Sequence, residues 1–233
     1  MHFTLADLTA DIAQNGAESG AGIVELDVHE TYSLGDMEHQ AVNEFRFIVR
    51  DNGKGMSAAE LDRAMDPFVT DGVKHPGRKV GLGLPFLVQT AVQSGGGWQI
   101  NSAKAGEEAV VRKGGTASES DVTEKAGGIA EKAPGIAEKE PGGTGTTVDA
   151  WFDLANVDTP PLGDIPGLFR TVLLFTGPEE TVFKRSRKGG EKPDLDYEMR
   201  KTELIEALGD LEDASSLILL GKYLRSLEGE DNE

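Results

Sequence analysis

The sequence predicts an α+β fold, in which helices and short strands alternate along a chain of 233 residues. An amphipathic helix opens the chain, and apolar runs with a period of two residues follow it. Glycine-rich segments separate these runs and mark the ends of the elements. A chain of this length can bury one sizeable domain, or one domain with an appendage.

The first part of the chain predicts a helix, a hairpin and a second helix. Residues 4–15 place apolar side chains on one stripe, which is typical of a helix packed on a core. Residues 22–28 and 43–50 alternate between apolar and polar side chains, which predicts two paired strands joined by a polar link. Ser57 begins a Ser-x-x-Glu capping box, so we expect a helix from there to about Met65.

The middle of the chain predicts one helix and two strands around an insertion. A helix from Leu84 to about Gln93 precedes strands at residues 98–102 and 146–152. Residues 104–143 lie between these strands, contain a crude repeat and no aromatic residue, and are rich in Gly, Ala, Lys and Glu. This composition indicates a flexible low-complexity insertion and not a separate domain.

The C-terminal residues predict a small α/β appendage. Its expected elements are a helix at 165–175, a hairpin of strands at 181–188 and 193–201, and helices at 202–208 and 214–227. The acidic tail after Leu227 is expected to fray. We therefore divide the chain into a first domain, residues 1–153, and a C-terminal region, residues 154–233, which is a candidate interaction module.

Composition excludes several classes of function. The chain has 23 Lys and Arg against 41 Asp and Glu, a formal net charge of −18, which argues against nucleic acid as a partner. It has no Cys, so disulfides and thiolate catalysis are excluded, and its four His residues show no metal-ligand spacing. No apolar run has the length of a membrane span, and no signal pattern is present. We expect a cytoplasmic protein that does not bind membranes.

Two glycine-containing motifs carry the main functional signal. Asp51-Asn-Gly-Lys-Gly55 follows a predicted strand, which places one carboxylate at the strand end and two conformationally free glycines after it. Gly81-Leu-Gly-Leu84 opens a predicted helix, and the N–H groups of a helix N-terminus suit phosphate. The first motif alone is also typical of a tight turn with an exposed Asp. The pair in this order is more specific.

The segment between these motifs, residues 69–80, is basic in an otherwise acidic protein. It contains Lys74, Arg78 and Lys79 together with two glycines. A flexible positive segment in this position suits a lid over a polyphosphate. The alternative is an ordinary exposed loop.

The first predicted helix also carries a polar stripe beside its apolar one. Asp11, Asn15 and Glu18 lie on this stripe, since they are spaced by about one helical turn. The general expectation for such a stripe is a face in contact with solvent.

Taken together, the motifs resemble the GHKL superfamily of ATP-binding domains, which includes DNA gyrase B, heat-shock chaperones, histidine kinases and MutL. Asp11-Ile-Ala-Gln-Asn15 resembles the N box of that superfamily. The segment that starts at Asp51 resembles the motif whose aspartate binds adenine in that superfamily. Asp66-Pro-Phe68 looks like the phenylalanine box of histidine kinases. Gly145-Thr-Thr-Val148 resembles the Gly-Thr strand beside the adenine pocket. The resemblance covers about residues 3–153 without the insertion.

The resemblance implies a two-layer α/β sandwich of the Bergerat type, a mixed sheet with helices on one face. It also implies ATP and Mg²⁺ as cofactors. Asn15, assisted by Glu18, would hold the metal, and Asp51 would accept a hydrogen bond from the adenine amino group beside Thr146. The other residues that the resemblance assigns to the nucleotide are Gly53, Gly55, Met56, Thr70, Lys74, Arg78, Lys79, Gly81, Gly83 and Leu84.

Asp11 decides which reaction the resemblance implies. Relatives that hydrolyse ATP or phosphorylate serine have a glutamate general base there, whereas histidine kinases usually have no acid. Water or a hydroxyl must lose a proton as it attacks phosphorus, so an acid favours these two acceptors. Asp is one methylene shorter than Glu, and reach matters for a base.

Three functions remain open at this point. The first is an ATPase, or a kinase that acts on a hydroxyl of a partner protein, with Asp11 as the catalytic residue. The second is a non-catalytic switch in which ATP changes how residues 154–233 bind a protein partner. The third and weaker one is histidine phosphotransfer.

Overall fold

The structure is a computed structural model, and it describes residues 4–33, 42–68, 83–116, 143–211 and 213–229. Its helices are α1 (Leu5–Glu18), α2 (Ala58–Met65), α3 (Gly83–Gln93), α4 (Ile165–Leu173), α5 (Lys201–Leu208) and α6 (Ala214–Leu227). Its strands are β1 (Ile23–Ser33), β2 (Val42–Asp51), β3 (Gly97–Ala103), β4 (Val110–Gly115), β5 (Gly145–Asp153), β6 (Glu180–Lys188) and β7 (Leu195–Arg200).

The strands form one seven-stranded mixed sheet in the order β4-β3-β5-β2-β1-β6-β7. β1 pairs with β6 in parallel, and every other neighbouring pair is antiparallel. The predicted α+β architecture with a mixed sheet is therefore confirmed. Among the described residues, no helix combines the length and apolar character that a bilayer crossing requires.

One face of the sheet supplies the hydrophobic core. Leu26, Val49 and Phe183 are neighbours across β1, β2 and β6, and all three are buried. The apolar stripe of α1 and buried side chains of the other helices join the same cluster. Phe169 of α4 meets Phe183 edge to face, with ring centroids 5.1 Å apart.

Capping boxes open α1 and α2, and the second of them is the one predicted at Ser57. Thr4 Oγ1 accepts a hydrogen bond from Asp7 N at 3.1 Å, and the Asp7 carboxylate accepts one from Thr4 N at 3.0 Å. Ser57 and Glu60 form the same reciprocal pair at the start of α2. These caps satisfy N–H groups that have no partner inside the helix.

β1 is longer than the sequence predicts, because it continues from Val28 to Ser33. The polar residues after Val28 favoured a link in the sequence. In the structure Glu30 is buried, and it forms an ion pair with Arg185 of β6. That pairing compensates the charge and lets the strand continue.

β4 lies within the segment that the sequence predicts as an insertion, residues 104–143. It pairs antiparallel with β3, from Ser102 opposite Val110 to Gly97 opposite Gly115. Its side chains are half-buried or exposed, as expected at a sheet edge, so its composition resembles that of the polar residues around it. Residues 117–142 of the predicted insertion lie outside the described residues.

The C-terminal region contributes to the same sheet as the first domain. β6 pairs directly with β1, and Ala6 N of α1 donates to Leu162 O at 2.9 Å. The division at residue 153 stays a prediction. The prediction that the tail frays is wrong for Glu228, which is 4% exposed. Arg185 and Arg187 neutralise and hold its carboxylate.

Candidate functional site

Asp51 lies at the last position of β2, opposite Val24 of β1, and its side chain is buried. Its Oδ1 atom accepts hydrogen bonds from Gly53 N at 2.9 Å and from Ser19 Oγ at 3.0 Å. Ser19 Oγ also lies 2.7 Å from Gly16 O, so one hydroxyl proton is shared between two acceptors. The carboxylate therefore has a fixed position at the end of α1.

The loop after Asp51 is held by backbone contacts on both sides. Asn52 Oδ1 accepts a hydrogen bond from Ile23 N at 2.9 Å. Gly55 has φ +64°, and a Cβ there would lie 1.8 Å from Ala103 O. Only glycine combines this backbone conformation with such a close approach. The sequence motif predicts both the turn and its need for glycine.

The strands β3 and β5 form the other wall of the site. Thr146 is buried, and its Oγ1 lies 2.9 Å from Ser102 Oγ. The same serine accepts a hydrogen bond from Met56 N at 2.8 Å. A Cβ on Gly145 would lie 2.0 Å from Asp51 O, so this glycine brings β5 against the end of β2. Ser102 thus joins the Asp51 loop to Thr146.

The polar stripe of α1 meets the start of α3. A Cβ on Gly83 would lie 3.1 Å from Asn15 Nδ2 and 3.8 Å from Ile12 Cδ1. Asn15 and Glu18 are exposed, and Gln14 Nε2 donates to Glu18 Oε1 at 2.8 Å. Asp11 is half-buried one turn before Asn15. The predicted metal-binding helix therefore contacts the N-terminus predicted to bind phosphate.

The predicted nucleotide residues fall into two groups. Asp51, Gly53, Gly55, Met56 and Thr146 come together where β2, β3 and β5 end. Leu84 and Gly83 open α3, next to α1. Five further predicted residues lie outside the described residues: Thr70, Lys74, Arg78, Lys79 and Gly81. The phenylalanine-box residue Phe68 is 93% exposed, so it does not contribute to this wall.

Sequence reasoning missed two serines in the site. Ser19 holds Asp51, and Ser102 holds both Thr146 and Met56. Ser102 lies opposite Thr146 in the register of β3 and β5. That register follows from strand pairing over a distance of 44 residues in sequence, so no local pattern reports it.

Two ion pairs connect α2, which follows the Asp51 loop, to Lys104 and Arg112. Lys104 Nζ donates to both carboxylate oxygens of Glu60 at 2.8 Å. The hydrogen bond from Lys104, with those from Ser57, lowers the pKa of Glu60 to about 2. Arg112 of β4 makes a similar pair with Asp62, which lowers the pKa of that carboxyl. Both pairs are on the surface, where ion pairs add little stability.

The donor atoms on α1 suit magnesium. Mg²⁺ prefers oxygen ligands and commonly takes only one or two from protein, with phosphate and water completing the octahedron. Asn15 supplies an amide oxygen and Glu18 a carboxylate, both on the exposed face of α1. These two residues fit the metal that the resemblance implies.

The chain is similar to known proteins in sequence and in structure. The sequence model of the family described as Histidine kinase-, DNA gyrase B-, and HSP90-like ATPase matches residues 4–156. A structure titled "Crystal Structure of N terminal domain of a DNA repair protein" is similar at 10% identity and a TM-score of 0.45, over 92% of this chain and 58% of that one. The Aquifex aeolicus MutL ATPase domain complexed with ADP is similar at 14% identity and a TM-score of 0.32, over 84% and 64%.

The chain spans about three fifths of the length of each of these two structures. The family match itself covers more than half of the chain and includes α1, the Asp51 loop and β5. It confirms the resemblance to the GHKL superfamily and supports ATP binding. The chain therefore belongs to the histidine kinase-, DNA gyrase B- and HSP90-like ATPase family.

Proposed function

We propose that the chain binds Mg-ATP at the Asp51 end of the sheet and transfers the γ-phosphoryl group to water or to a hydroxyl of a partner protein. The observation that carries this proposal is that the Asp51 motif and the start of α3 both lie beside α1. Asp51 is fixed at the end of β2, while Asn15 lies beside Gly83 at the start of α3. The proposed base-reading carboxylate and the proposed phosphate-binding helix end are thus both next to α1.

Asp51 is the proposed adenine-binding residue. Two neutral donors, Gly53 N and Ser19 Oγ, orient its carboxylate. An oriented carboxylate can accept a hydrogen bond from an exocyclic amino group, and such charge-assisted bonds are the stronger ones. Thr146 and Met56, joined through Ser102, provide the wall beside it.

The phosphates are proposed to lie between α1 and the N-terminus of α3. The first N–H groups of α3 have no partner within the helix and are suited to phosphate oxygens. Asn15 and Glu18 would hold Mg²⁺ there. When bound, this metal supplies neutralisation of the charge on the phosphate oxygens. Lys74, Arg78 and Lys79 are proposed to close over the phosphates, and they lie outside the described residues.

Asp11 is the proposed general base. It lies on α1 one turn before Asn15, so both side chains extend from the same side of the helix. Its carboxylate would orient the attacking water or hydroxyl and take its proton as the oxygen bonds to the γ-phosphorus. The bond from that phosphorus to the β-phosphate oxygen breaks in the same step, and ADP leaves. The proton then resides on the Asp11 carboxyl until it passes to solvent.

A second candidate function is a switch that binds ATP with little turnover. Its support is the direct connection between the loop and the C-terminal region. Asn52 bonds to Ile23 at the start of β1, and β1 pairs along its length with β6. A change of the loop on binding nucleotide would reach the C-terminal elements through this pairing. The shorter reach of Asp11 also favours slow chemistry.

Incubation with γ-labelled Mg-ATP tests the proposal, with free phosphate and protein-bound label followed together. Asp11→Asn should lower the rate by at least about 100-fold, the contribution of a general base, and leave ATP affinity unchanged. Asp51→Asn should weaken ATP binding by at least about tenfold. Asp213→Asn is the matched control, because Asp213 is exposed and its side chain makes no capping hydrogen bond.

The outcomes separate the candidates. Phosphate release that depends on Asp11 supports an ATPase, and acid-stable label on a partner supports a hydroxyl kinase. Binding without release or label contradicts the enzyme and favours the switch. Acid-labile label would instead indicate histidine phosphotransfer. Equal rates for the native protein and Asp11→Asn would remove Asp11 from the chemistry.

A further inference from the structure

A cavity of about 830 Å³ lies at the end of the sheet opposite to Asp51. Its walls include Glu30, Tyr32, Leu162, Ile165, Arg187 and Glu228. β1 connects the two ends, because Val24 pairs with Asp51 and Glu30 follows on the same strand. Six residues of strand span about 20 Å. The cavity is therefore separate from the candidate nucleotide site, and its role does not depend on the proposed function.

Buried charges line the inner wall of this cavity. Arg185 is fully buried and forms ion pairs with Glu30 and, at 2.9 Å, with Glu228. Arg187 Nη1 donates to Glu228 Oε2 at 3.0 Å. Burial opposes the charge of Arg185, yet the bonds to Glu228 and the charge of Glu30 raise its pKa. Glu30, Arg187 and Glu228 line the cavity, and Arg185 lies behind them. The two cations and two anions of this network have no net charge.

The two carboxylates differ in the acceptor capacity that they have left. Glu228 accepts two donors on each oxygen: Arg185 and Tyr197 on Oε1, Arg187 and Arg185 on Oε2. Glu30 accepts only Arg185 on Oε1 and Tyr32 on Oε2, among the described residues. A carboxylate oxygen has two acceptor positions, so Glu30 retains one on each oxygen.

Arg187, which lines the same cavity, retains hydrogen-bond donors that have no acceptor among the described residues. Its Nε donates to Pro193 O at 3.1 Å, and its two terminal nitrogens each donate once to Glu228. A guanidinium has five N–H groups, so two of them have no acceptor within the part of the chain that the structure describes. Arg187 is 3% exposed, and a buried donor without a partner is costly.

We propose that this cavity binds a small neutral molecule with an apolar body and one edge that carries both a hydrogen-bond donor and an acceptor, such as a primary amide or a lactam. The acceptor meets Arg187 and the donor meets Glu30. The apolar body packs on Leu162, Ile165 and the ring of Tyr32, as in most small-molecule sites. An anionic ligand would face Glu30 and a cationic one Arg187, so each ionic class meets a like charge.

Benzamide is the probe that tests this proposal, with the full chain observed by ¹H–¹⁵N NMR. Saturable shifts are expected at the backbone amides of Gly163, Gly189 and Gly190, which line the cavity. No shift is expected at Gly53 or Gly55, so binding at the nucleotide site is recognised separately. Benzoate and benzylamine should each bind about tenfold more weakly than benzamide, the effect of one lost hydrogen bond. Toluene lacks both the donor and the acceptor and should bind about 100-fold more weakly.

Two variants complete the test. Ser33→Trp places a large ring at the cavity wall and should weaken benzamide about tenfold or more through lost contact area. Ser215→Trp is the matched control on the exposed side of α6 and should bind as the native protein does. Absence of shifts at the three cavity glycines overturns the proposal. So does equal binding of toluene or benzoate, or unchanged binding by Ser33→Trp.

Discussion

The two ends of strand β1 hold buried carboxylates in different ways. Beside its first residues, Asp51 is fixed by neutral donors, Gly53 N and Ser19 Oγ. At its far end, Glu30 and Glu228 are fixed by the guanidinium of Arg185. Neutral donors orient a carboxylate without adding an opposite charge, whereas arginine orients the carboxylate and also cancels its charge.

The difference assigns different roles to the same chemical group. At the first end, we expect a ligand that donates a hydrogen bond to gain from the oriented carboxylate of Asp51. At the far end, the four charges compensate one another and link β1, β6 and the end of α6. We therefore expect changes at the first end to affect ligand affinity and changes at the far end to affect folding stability.

Glu228→Ala should have the largest effect on stability. It leaves Arg185 and Arg187 buried with one carboxylate between them, and breaking a buried ion pair costs about 3 kcal/mol or more. Chemical denaturation at neutral pH measures the free energy of unfolding. Glu198→Ala is the control, because Glu198 and Arg200 form an exposed pair at 2.9 Å. The Glu198→Ala variant should lose less than about 1 kcal/mol of unfolding free energy. Similar losses in the two variants would show that the buried network does not carry this stability.

Gly55→Ala should be the most damaging change in the Asp51 loop. The residue has φ +64°, and its new Cβ would meet Ala103 O at 1.8 Å. We expect a loss of about 2 kcal/mol in unfolding free energy, from backbone strain and from displacement of β3. Gly106→Ala measures the first cause alone, since Gly106 has φ +78° and open space around it. That control should lose only about 1 kcal/mol. If both variants lose the same amount, the contact with Ala103 is unimportant.

Ser19→Ala should weaken nucleotide binding with little change in stability. It removes the hydroxyl that donates to Asp51 Oδ1 at 3.0 Å, so the carboxylate is less well oriented. We expect ATP affinity to fall about fivefold, the effect of one hydrogen bond, in a calorimetric titration. Ser215→Ala, in an exposed position of α6, should bind ATP as the native protein does. Unchanged affinity in Ser19→Ala would mean that Asp51 does not need this serine.

His29 should give the smallest effect, visible only as a pH dependence. Burial lowers the pKa of His29 below its usual 6.5, although Asp27 opposes the shift. The unfolded chain therefore binds this proton more readily, so stability falls as the pH drops through about 6.5. His29→Asn can keep a hydrogen-bond partner for Ser186. In this variant the melting temperature should change less with pH between about pH 7.5 and pH 5.5 than in the native protein. An equally steep decline in the variant would locate the titrating group elsewhere.

The sequence predicts the turn after Asp51 and the helix caps well because the information there is local. Asp51 and Gly55 are four residues apart, and the two ends of each capping box are three residues apart. Short-range geometry alone determines these features. The spacing of apolar residues also predicts the helices and most of the strands, since one face of each element packs on a single core.

The far end could not be predicted, because its residues meet only through the fold. Glu30 and Arg185 are 155 residues apart, and Glu228 belongs to a tail whose composition suggested fraying. A charged residue in sequence gives no sign of the partner that will bury it. β4 was missed for a related reason, since an edge strand with half-exposed side chains lacks a strong apolar alternation.

The central claim is that Asp51 reads the base of a bound nucleotide, and titration of Mg-ATP by calorimetry tests it most directly. The native chain should bind with one site, and Asp51→Asn should bind at least about tenfold more weakly, because an amide is a weaker acceptor for the adenine amino group. Asp213→Asn should bind as the native chain does. Equal affinity for the native chain and Asp51→Asn would contradict the claim, as would absence of binding by the native chain.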